Sequence, residues 1–364
     1  MPYPDEFEGF MINELGKYKE FKRQTFKPKV FGENDIDIKI ECCGVCGSDI
    51  HTVTGGWGDA PTPLCVGHEV VGKAVKVGSK VADVKVGDRV GVGAQVWSCL
   101  RCAQCKGDNE NYCPKLVDTY GAPYPKEADP DETISQGGYA SHIRAHSYFV
   151  FPIPAAIPSH LAAPMLCAGL TVWSPLKRAG VGPGKQVAVV GLGGLGHFAV
   201  LWAVALGAEV SVISHSPHKK HDALALGAAH FVSSGATGWA DGLKFAFDFV
   251  LNTADVTHTF NLDDYLSILK VGCRFHQVGI PDEPIKNVSP KQFMANGSSI
   301  GASHIGSRAE CLDMLRLAAE RRLFPMVETV KVSEEGCAEA VERVRRNDVR
   351  YRVTLVDYDE AFGR

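Results

Sequence analysis

Short runs of alternating apolar and polar residues follow one another through the first 150 residues, separated by glycine-containing turns. The runs at 35–40 (DIDIKI), 70–77 (VVGKAVKV) and 88–92 (DRVGV) show this alternation or are rich in β-branched residues. A period of two places one face of a strand in a core and the other toward solvent. The pattern predicts an all-β, barrel-like segment that ends near a proline-rich connection at 152–158.

A different pattern begins at residue 186, where a strand-like run (QVAVV), a glycine loop (GLGGLG), an apolar helix (HFAVLWAVALG) and a second strand (AEVSVIS) follow in order. Runs at 247–251 and 274–279 predict further strands, with a helix at 262–269 between them. Alternation of strands and helices is typical of βαβ units and of a parallel sheet.

The C-terminal part, after about residue 296, contains both helix-like and strand-like runs. Residues 310–321 and 334–345 have the spacing of helices, and 351–356 (YRVTLV) predicts a last strand. The fold class is therefore α/β, with a mainly β N-terminal part.

Composition narrows the class of protein. At roughly 150 residues per domain, 364 residues predict two domains. The net charge of −4 and the lack of long like-charge blocks argue against nucleic acid as a partner. The longest apolar run, 198–206, is far short of the roughly 20 residues that span a bilayer, so no membrane partner is expected. The first residues lack the basic and apolar regions of a signal peptide, so we expect a cytoplasmic protein.

Twelve cysteines are many for such a protein, and four of them form a tight cluster. Four thiolates on one short loop can surround a Zn²⁺ ion tetrahedrally and leave no open position, which makes the site structural. Four buried core cysteines and an iron–sulphur cluster are the alternatives. The clustered cysteines are Cys99, Cys102, Cys105 and Cys113.

A second, dispersed set consists of Cys46, His68 with the adjacent Glu69, and Cys167. Two cysteines and one histidine are a known ligand set for a catalytic zinc, which keeps a fourth position open. Glycines flank Cys46 (GVCGSDIH) and His68 (VGHEVVG) and leave room for a metal. Taken singly, His68 is also explained as a loop histidine and Cys167 as a small buried hydrophobic residue.

The glycine loop carries a third candidate site. A GxGxxG motif that follows a strand and opens a helix is the context of a dinucleotide site, because the helix N-terminus offers free N–H groups to a pyrophosphate. A glycine turn in some other βαβ unit is the alternative. The loop residues are Gly191, Leu192, Gly193, Gly194, Leu195 and Gly196.

The next strand ends at Ser214, where an NAD site would place an acidic residue for the ribose 2′-hydroxyl. A carboxylate there would repel a 2′-phosphate by about 4 kcal/mol at contact and an effective dielectric near 20. Its absence, with Lys219 nearby, favours NADP(H). If 218–220 is only the solvated start of a helix, the choice of cofactor stays open.

Together these motifs resemble the zinc-dependent medium-chain alcohol dehydrogenases, in particular the NADP(H)-dependent cinnamyl alcohol dehydrogenase branch and its fungal broad-specificity members. The resemblance covers nearly the whole chain. It is carried by CGVCGSDIH, GHE, VGDRVGVGAQVWSCLRCAQC, SQGGYA, IPSHLAAPMLCAGLTVWSPL, GLGGLGH and DVRYRVTLV.

The resemblance implies a GroES-like β-barrel catalytic domain formed by 1–155 and 297–364, with a structural zinc lobe at about 97–115. A Rossmann domain with a doubly wound parallel sheet, which binds NADP(H), would occupy 156–296. A homodimer joined through the edges of the Rossmann sheets is a further family expectation.

The resemblance also assigns roles to residues. Cys46, His68 and Cys167 match the ligands of the catalytic zinc, with Glu69 able to approach the metal, and the clustered cysteines match the structural zinc site. Ser48 matches the hydroxyl that contacts the substrate oxygen. His51 matches the residue that passes the proton to solvent by way of the nicotinamide ribose.

The resemblance also implies which residues contact the cofactor and the substrate. Ser214, Ser216 and Lys219 match the 2′-phosphate site, and His215 and His304 depart from residues common in relatives. Trp57 and Tyr120 either line the substrate channel or are ordinary packing residues. The residues matching the nicotinamide half of the site are Thr253, Gly279, Ser303, His304 and Ile305.

The expected reaction is reversible hydride transfer between NADPH and aromatic, cinnamyl-type, or medium-chain aliphatic aldehydes, with the primary alcohols as products. The resemblance implies two zinc ions per chain, one catalytic and one structural. An NAD-linked polyol dehydrogenase of the mannitol type is one alternative, and a quinone reductase without zinc is another. A non-catalytic zinc- or nucleotide-binding protein is the alternative from a different class.

Overall fold

A computed structural model describes residues 4–255, 260–285 and 288–363 of the chain. The chain divides into two compact units, one formed by Met1–Leu170 with Gly306–Arg364 and the other by Thr171–Ile305. The boundaries expected after residues 155 and 296 stay a prediction. The strands are β1 (Phe7–Met11), β2 (Lys22–Phe26), β3 (Asp35–Val45), β4 (Glu69–Val77), β5 (Arg89–Val92), β6 (Gln95–Trp97), β7 (Val117–Asp118), β8 (His142–His146), β9 (Val150–Pro152), β10 (Gln186–Val190), β11 (Glu209–Ser214), β12 (His230–Ser233), β13 (Phe247–Asn252), β14 (Leu269–Gln277), β15 (Ser299–Ala302), β16 (Val327–Lys331) and β17 (Arg352–Val356).

The α-helices of the described residues are mostly short and connect these strands. They are α1 (Gly47–Thr54), α2 (Ala103–Lys106), α3 (Ser159–Ala162), α4 (Ala168–Arg178), α5 (Gly196–Ala205), α6 (Lys220–Ala225), α7 (Leu262–Ser267), α8 (Arg308–Arg321), α9 (Glu334–Arg345) and α10 (Tyr358–Phe362). In the described part of the chain, no helix is long and apolar enough to cross a membrane.

The first unit is built on one mainly antiparallel sheet with the order β16-β17-β3-β4-β5-β9, in which β8 pairs with the first half of β3. Ile36, Ile38 and Val70 belong to its buried core. Strand β3 extends beyond the predicted 35–40 to Val45, because its second half also pairs with β17 and is buried. This half leads directly into α1, a helix that the all-β prediction for the N-terminal segment missed.

The second unit contains the predicted parallel sheet, with the order β12-β11-β10-β13-β14-β15. Chain order reverses between β10 and β13, which is the point where open α/β sheets bind ligands at the carboxyl ends of their strands. The predicted helix at 262–269 was wrong at its end. Helix α7 stops at Ser267, and Leu269 begins β14, where it pairs with Phe247 of β13.

Candidate metal and dinucleotide sites

Helix α1 is tied at its start to the loop that carries the predicted histidine ligand. Cys46 is the N-cap of α1, and the buried Asp49 carboxylate accepts a hydrogen bond from its backbone N–H at 2.9 Å. The same carboxylate accepts from the N–H of Gly67 at 3.1 Å and from the Tyr139 hydroxyl at 3.3 Å. Asp49 therefore holds Cys46 close to the loop that carries His68.

The structure brings Cys46, His68, Glu69 and Cys167 into one buried group whose ligand atoms lie within 4.8 Å of one another. The two sulphur atoms are 3.8 Å apart. Two Zn–S bonds of about 2.3 Å at a tetrahedral angle require roughly this separation. The buried His68 Nε2 has no hydrogen-bond partner among the described residues, as expected of a nitrogen that serves as a ligand. These residues fit a zinc ion.

Glu69 of this group forms a buried ion pair with Arg352. Arg352 of β17 donates to Glu69 Oε1 at 2.5 Å, and both side chains are almost fully buried. Burial raises the pKa of Glu69 to about 7, against the opposing charge of Arg352. The Cys167 thiol donates to Cys46 and holds the pKa of Cys46 well below the ordinary thiol value, although burial acts in the other direction. Cys46 is therefore favoured as a thiolate, the form that binds metal.

Sequence reasoning missed Asp49 and Arg352. An arginine within the strand-like run YRVTLV was an available sign, because a charged residue in a buried strand is normally paired. For Asp49, the sign was an acidic residue three positions after Cys46, which is the spacing of a capping box.

Ser48 lies on α1 beside this group, and His51 lies on the same helix. The Ser48 hydroxyl is 3.6 Å from the Cys46 sulphur, and His51 follows one helical turn later on the same side of the helix. Two of the predicted aromatic residues stack on histidines. Trp57 covers His51 with ring centroids 4.7 Å apart, and Tyr120 covers His68 at 5.4 Å.

The four clustered cysteines form a second group, also with ligand atoms within 4.8 Å of one another. Three sulphur–sulphur distances are 3.5 Å (Cys102 to Cys105), 3.9 Å (Cys102 to Cys113) and 3.6 Å (Cys113 to Cys99). All are much longer than the roughly 2.05 Å of a disulfide and suit four ligands of one tetrahedral zinc. The backbone N–H of Arg101 lowers the pKa of Cys99 to about 6, which favours its thiolate.

The glycine loop follows β10 and precedes α5, as predicted. A Cβ at Gly196 would lie 2.1 Å from the carbonyl oxygen of Gly191, so packing alone requires glycine there. A Cβ at Gly193 would meet nothing within 4 Å in the described residues. Open space at Gly193 fits the close approach of a pyrophosphate to the backbone. The Thr253 hydroxyl donates to the Val190 carbonyl at 2.9 Å and braces the loop.

The residues predicted for the 2′-phosphate gather after β11. The buried Ser214 accepts a hydrogen bond from the N–H of Ser216 at 3.2 Å, and the Ser216 hydroxyl lies 3.2 Å from His215 Nε2. Lys219 reaches the glycine loop, where its ammonium group donates to the Leu192 carbonyl at 2.8 Å. Burial lowers the pKa of Lys219. A cation is thus placed between the loop and the end of β11.

The residues predicted for the nicotinamide half lie after the next strands of the same sheet. Gly279 follows β14, and a Cβ there would lie 2.3 Å from the carbonyl oxygen of Ala254, so only glycine fits. Ser303 follows β15 and lies 2.9 Å from His276 Nε2. The buried Ile305 has a positive φ of 50°. His304 stands between Ser303 and Ile305 at the end of this unit.

Comparison with known proteins agrees with this geometry. Residues 32–155 match the alcohol dehydrogenase GroES-like domain, and residues 194–320 match the zinc-binding dehydrogenase family. The NADP-dependent alcohol dehydrogenase 6 of Saccharomyces cerevisiae is 48% identical over 365 residues, covering 100% of both chains.

Two solved structures of cinnamyl alcohol dehydrogenases are also similar. The enzyme from Sorghum bicolor is 35% identical with a TM-score of 0.89, covering 96% of this chain and 97% of that one. The enzyme from Helicobacter pylori, solved with NADP(H), is 33% identical with a TM-score of 0.87, covering 96% and 98%. These similarities confirm the resemblance and the two-part α/β fold. The chain therefore belongs to the zinc-binding alcohol dehydrogenase family and is an oxidoreductase with a GroES-like domain and a Rossmann-type domain.

Proposed function

We propose that this enzyme interconverts aldehydes and primary alcohols with NADP(H), acting on aromatic, cinnamyl-type, and medium-chain aliphatic substrates. The observation that carries the proposal is the arrangement on α1. This one helix, with its N-cap, presents a metal ligand (Cys46), a hydroxyl (Ser48) and an imidazole (His51) within two turns. A protein that only bound zinc or a nucleotide would not require a hydroxyl and an imidazole beside the metal ligand.

In this proposal, Cys46, His68 and Cys167 hold the catalytic zinc, with Glu69 able to approach it, and the four clustered cysteines hold the structural zinc. Bound zinc supplies Lewis acidity toward a carbonyl oxygen, and bound NADPH supplies the hydride. The Arg352 guanidinium balances the charge of Glu69 and the nearby thiolates within the buried group.

Ser48 and His51 move the proton that the reaction requires. A serine hydroxyl both donates and accepts a hydrogen bond without bringing charge into the site. Ser48 therefore donates a proton to the substrate oxygen during reduction. His51 takes a proton from solvent and returns one to Ser48 by way of the nicotinamide ribose. Trp57 and Tyr120, which flank the two histidines, line the path of the substrate.

Cofactor choice is set after β11. Ser214 stands where a carboxylate would repel a 2′-phosphate, and Ser216, His215 and Lys219 offer donors and positive charge. The pyrophosphate would lie against the glycine loop near Gly193. Residues after β13, β14 and β15 would contact the nicotinamide half; they are Thr253, Gly279, Ser303, His304 and Ile305.

A homodimer is also part of the proposal, with the cytoplasm as its location. Strand β15 lies at the end of the sheet order of the second unit. Large apolar side chains near it are exposed, among them Met294 (80%), Val271 (76%) and Ile300 (38%). Exposed apolar side chains at a sheet edge are typical of a surface that pairs with a second copy.

The test compares initial rates with NADPH and NADH for cinnamaldehyde and hexanal, in the wild type and in Ser214→Asp. We expect a strong NADPH preference in the wild type and at least a tenfold shift in the ratio of kcat/KM toward NADH in the variant, because the carboxylate repels the 2′-phosphate. Ser214→Asn is the control, because asparagine is similar in size to aspartate but uncharged. It should shift the ratio of kcat/KM much less. An NADH preference in the wild type would favour the polyol dehydrogenase alternative.

A further inference from the structure

We propose that Trp57 is a positioning residue for His51, whose imidazole it covers and holds in the orientation that moves the proton. This inference rests on the proposed role of His51. Trp57 would act on proton transfer indirectly, through its contact with His51. This role does not depend on whether Trp57 also contacts the substrate.

The backbone after α1 delivers Trp57 to this place. Gly55 and Gly58 have φ values of +76° and +98°, which glycine adopts without strain. The N–H of Gly55 bonds to the Thr52 carbonyl at 3.0 Å, and the N–H of Gly56 bonds back to the His51 carbonyl at 2.8 Å. The chain therefore reverses at the end of the helix and returns over its last turn.

The contact that results is a parallel, offset stack. The rings of Trp57 and His51 lie 4.7 Å apart between centroids, with 5° between their planes. A stacked indole excludes water from one imidazole face and restricts rotation of the imidazole ring. Trp57 is 42% exposed, so its other surroundings are open and its substitution removes little of the core.

Positioning and substrate lining make different predictions. A residue that only lines the substrate path affects large aldehydes more than small ones. A residue that orients His51 affects proton transfer for every aldehyde. It also protects His51 from reagents in the free enzyme, where no substrate is present.

The experiment measures modification of His51 by diethylpyrocarbonate in the zinc-loaded enzyme at fixed pH, with peptide mass spectrometry to identify the site. We expect Trp57→Ala to raise the His51 modification rate at least threefold, and Trp57→Phe, which keeps a ring over the imidazole, to stay within twofold of the wild type. An unchanged rate in Trp57→Ala would overturn the proposal.

Kinetics with NADPH provide the second measurement. Trp57→Ala should lower kcat by about tenfold for both propanal and cinnamaldehyde and increase the solvent deuterium isotope effect, with Trp57→Phe restoring both. A higher KM for cinnamaldehyde with kcat unchanged would show that Trp57 only lines the substrate path, and would overturn the proposal. His51→Gln separates the two hypotheses, since full turnover in that variant contradicts the proposed role of His51 even if the modification rates confirm the stack.

Discussion

Ser48 shows how much of the proposed chemistry depends on a single hydroxyl. It follows Cys46 by two positions, and its oxygen lies 3.6 Å from the cysteine sulphur. A hydroxyl at this distance from a proposed metal ligand would reach a substrate oxygen that approaches the metal. No charged group is needed at this position, because a serine hydroxyl can give up one proton while it accepts another.

Replacing this hydroxyl tests the assignment. Ser48→Ala should reduce kcat for aldehyde reduction by about 100-fold or more, the usual contribution of a positioned proton donor. NADPH affinity, measured by fluorescence titration, should stay the same, because all the proposed cofactor residues belong to the second unit. Ser48→Thr keeps the hydroxyl and should retain most of the turnover. Unchanged kcat in Ser48→Ala would remove Ser48 from the proton path.

At the scale of elements, α1 organises the candidate site. Its N-cap, Cys46, is a proposed zinc ligand, and its first turn contains Asp49, which bonds to the loop before His68 and to Tyr139. The helix is only eight residues long and would be marginal alone. Its position thus depends on these buried hydrogen bonds to the surrounding sheet and loops.

Removing the Asp49 carboxylate should destabilise the protein. Asp49→Ala leaves three buried donors without their acceptor, at about 1–3 kcal/mol each, so we expect the apparent free energy of unfolding in urea to fall by about 3–5 kcal/mol. Asp59→Ala, an exposed acid shortly after the helix, should change it by less than about 0.5 kcal/mol.

Zinc retention links this loss of stability to the candidate metal site. At temperatures where Asp49→Ala remains folded, we also expect weaker zinc retention during dialysis against a chelator, because Cys46 loses its fixed orientation. Equal stability of the Asp49→Ala variant and the wild type would contradict the role of Asp49 in holding α1.

At the scale of the whole molecule, both sulphur-rich groups lie in the unit that joins the N-terminal and C-terminal segments, and the glycine loop lies in the other unit. The buried pair of Glu69 and Arg352 bonds residues from those two segments. The C-terminal segment therefore takes part in the candidate metal site, although its own sequence contains none of the proposed ligands.

Metal analysis distinguishes the two groups. We expect two zinc ions per chain in the wild type, one for each group. Cys105→Ser should reduce the content to about one and lower the midpoint of thermal unfolding, because the loop of the clustered cysteines loses its cross-link. Cys273→Ser, a cysteine outside both groups, should keep two. One zinc in the wild type would favour the non-catalytic alternative.

Local patterns in the sequence were sufficient for much of the fold. The strand runs near 35, 70 and 89 and the helix at Glu334–Arg345 were predicted from periodicity, since burial of one face leaves a repeat of two or of 3.6 residues. The glycine loop was predicted because all its residues are adjacent. The four clustered cysteines lie within 15 residues, so their spacing alone indicated a common ligand.

Other features depend on contacts between distant parts of the chain. Cys46 and Cys167 are 121 positions apart, and Glu69 and Arg352 are 283 apart. No local repeat encodes such pairs. Glu69 and Arg352 meet because β4 and β17 flank β3 in one sheet, and Cys167 precedes α4, far along the chain from Cys46. The sequence by itself thus determined the compact motifs, the family and most of the elements, though not α1 or the end of α7. Only the tertiary structure decided that Arg352 balances Glu69, that Asp49 fixes α1 and that Trp57 covers His51, because sheet pairing and chain reversal set those distances.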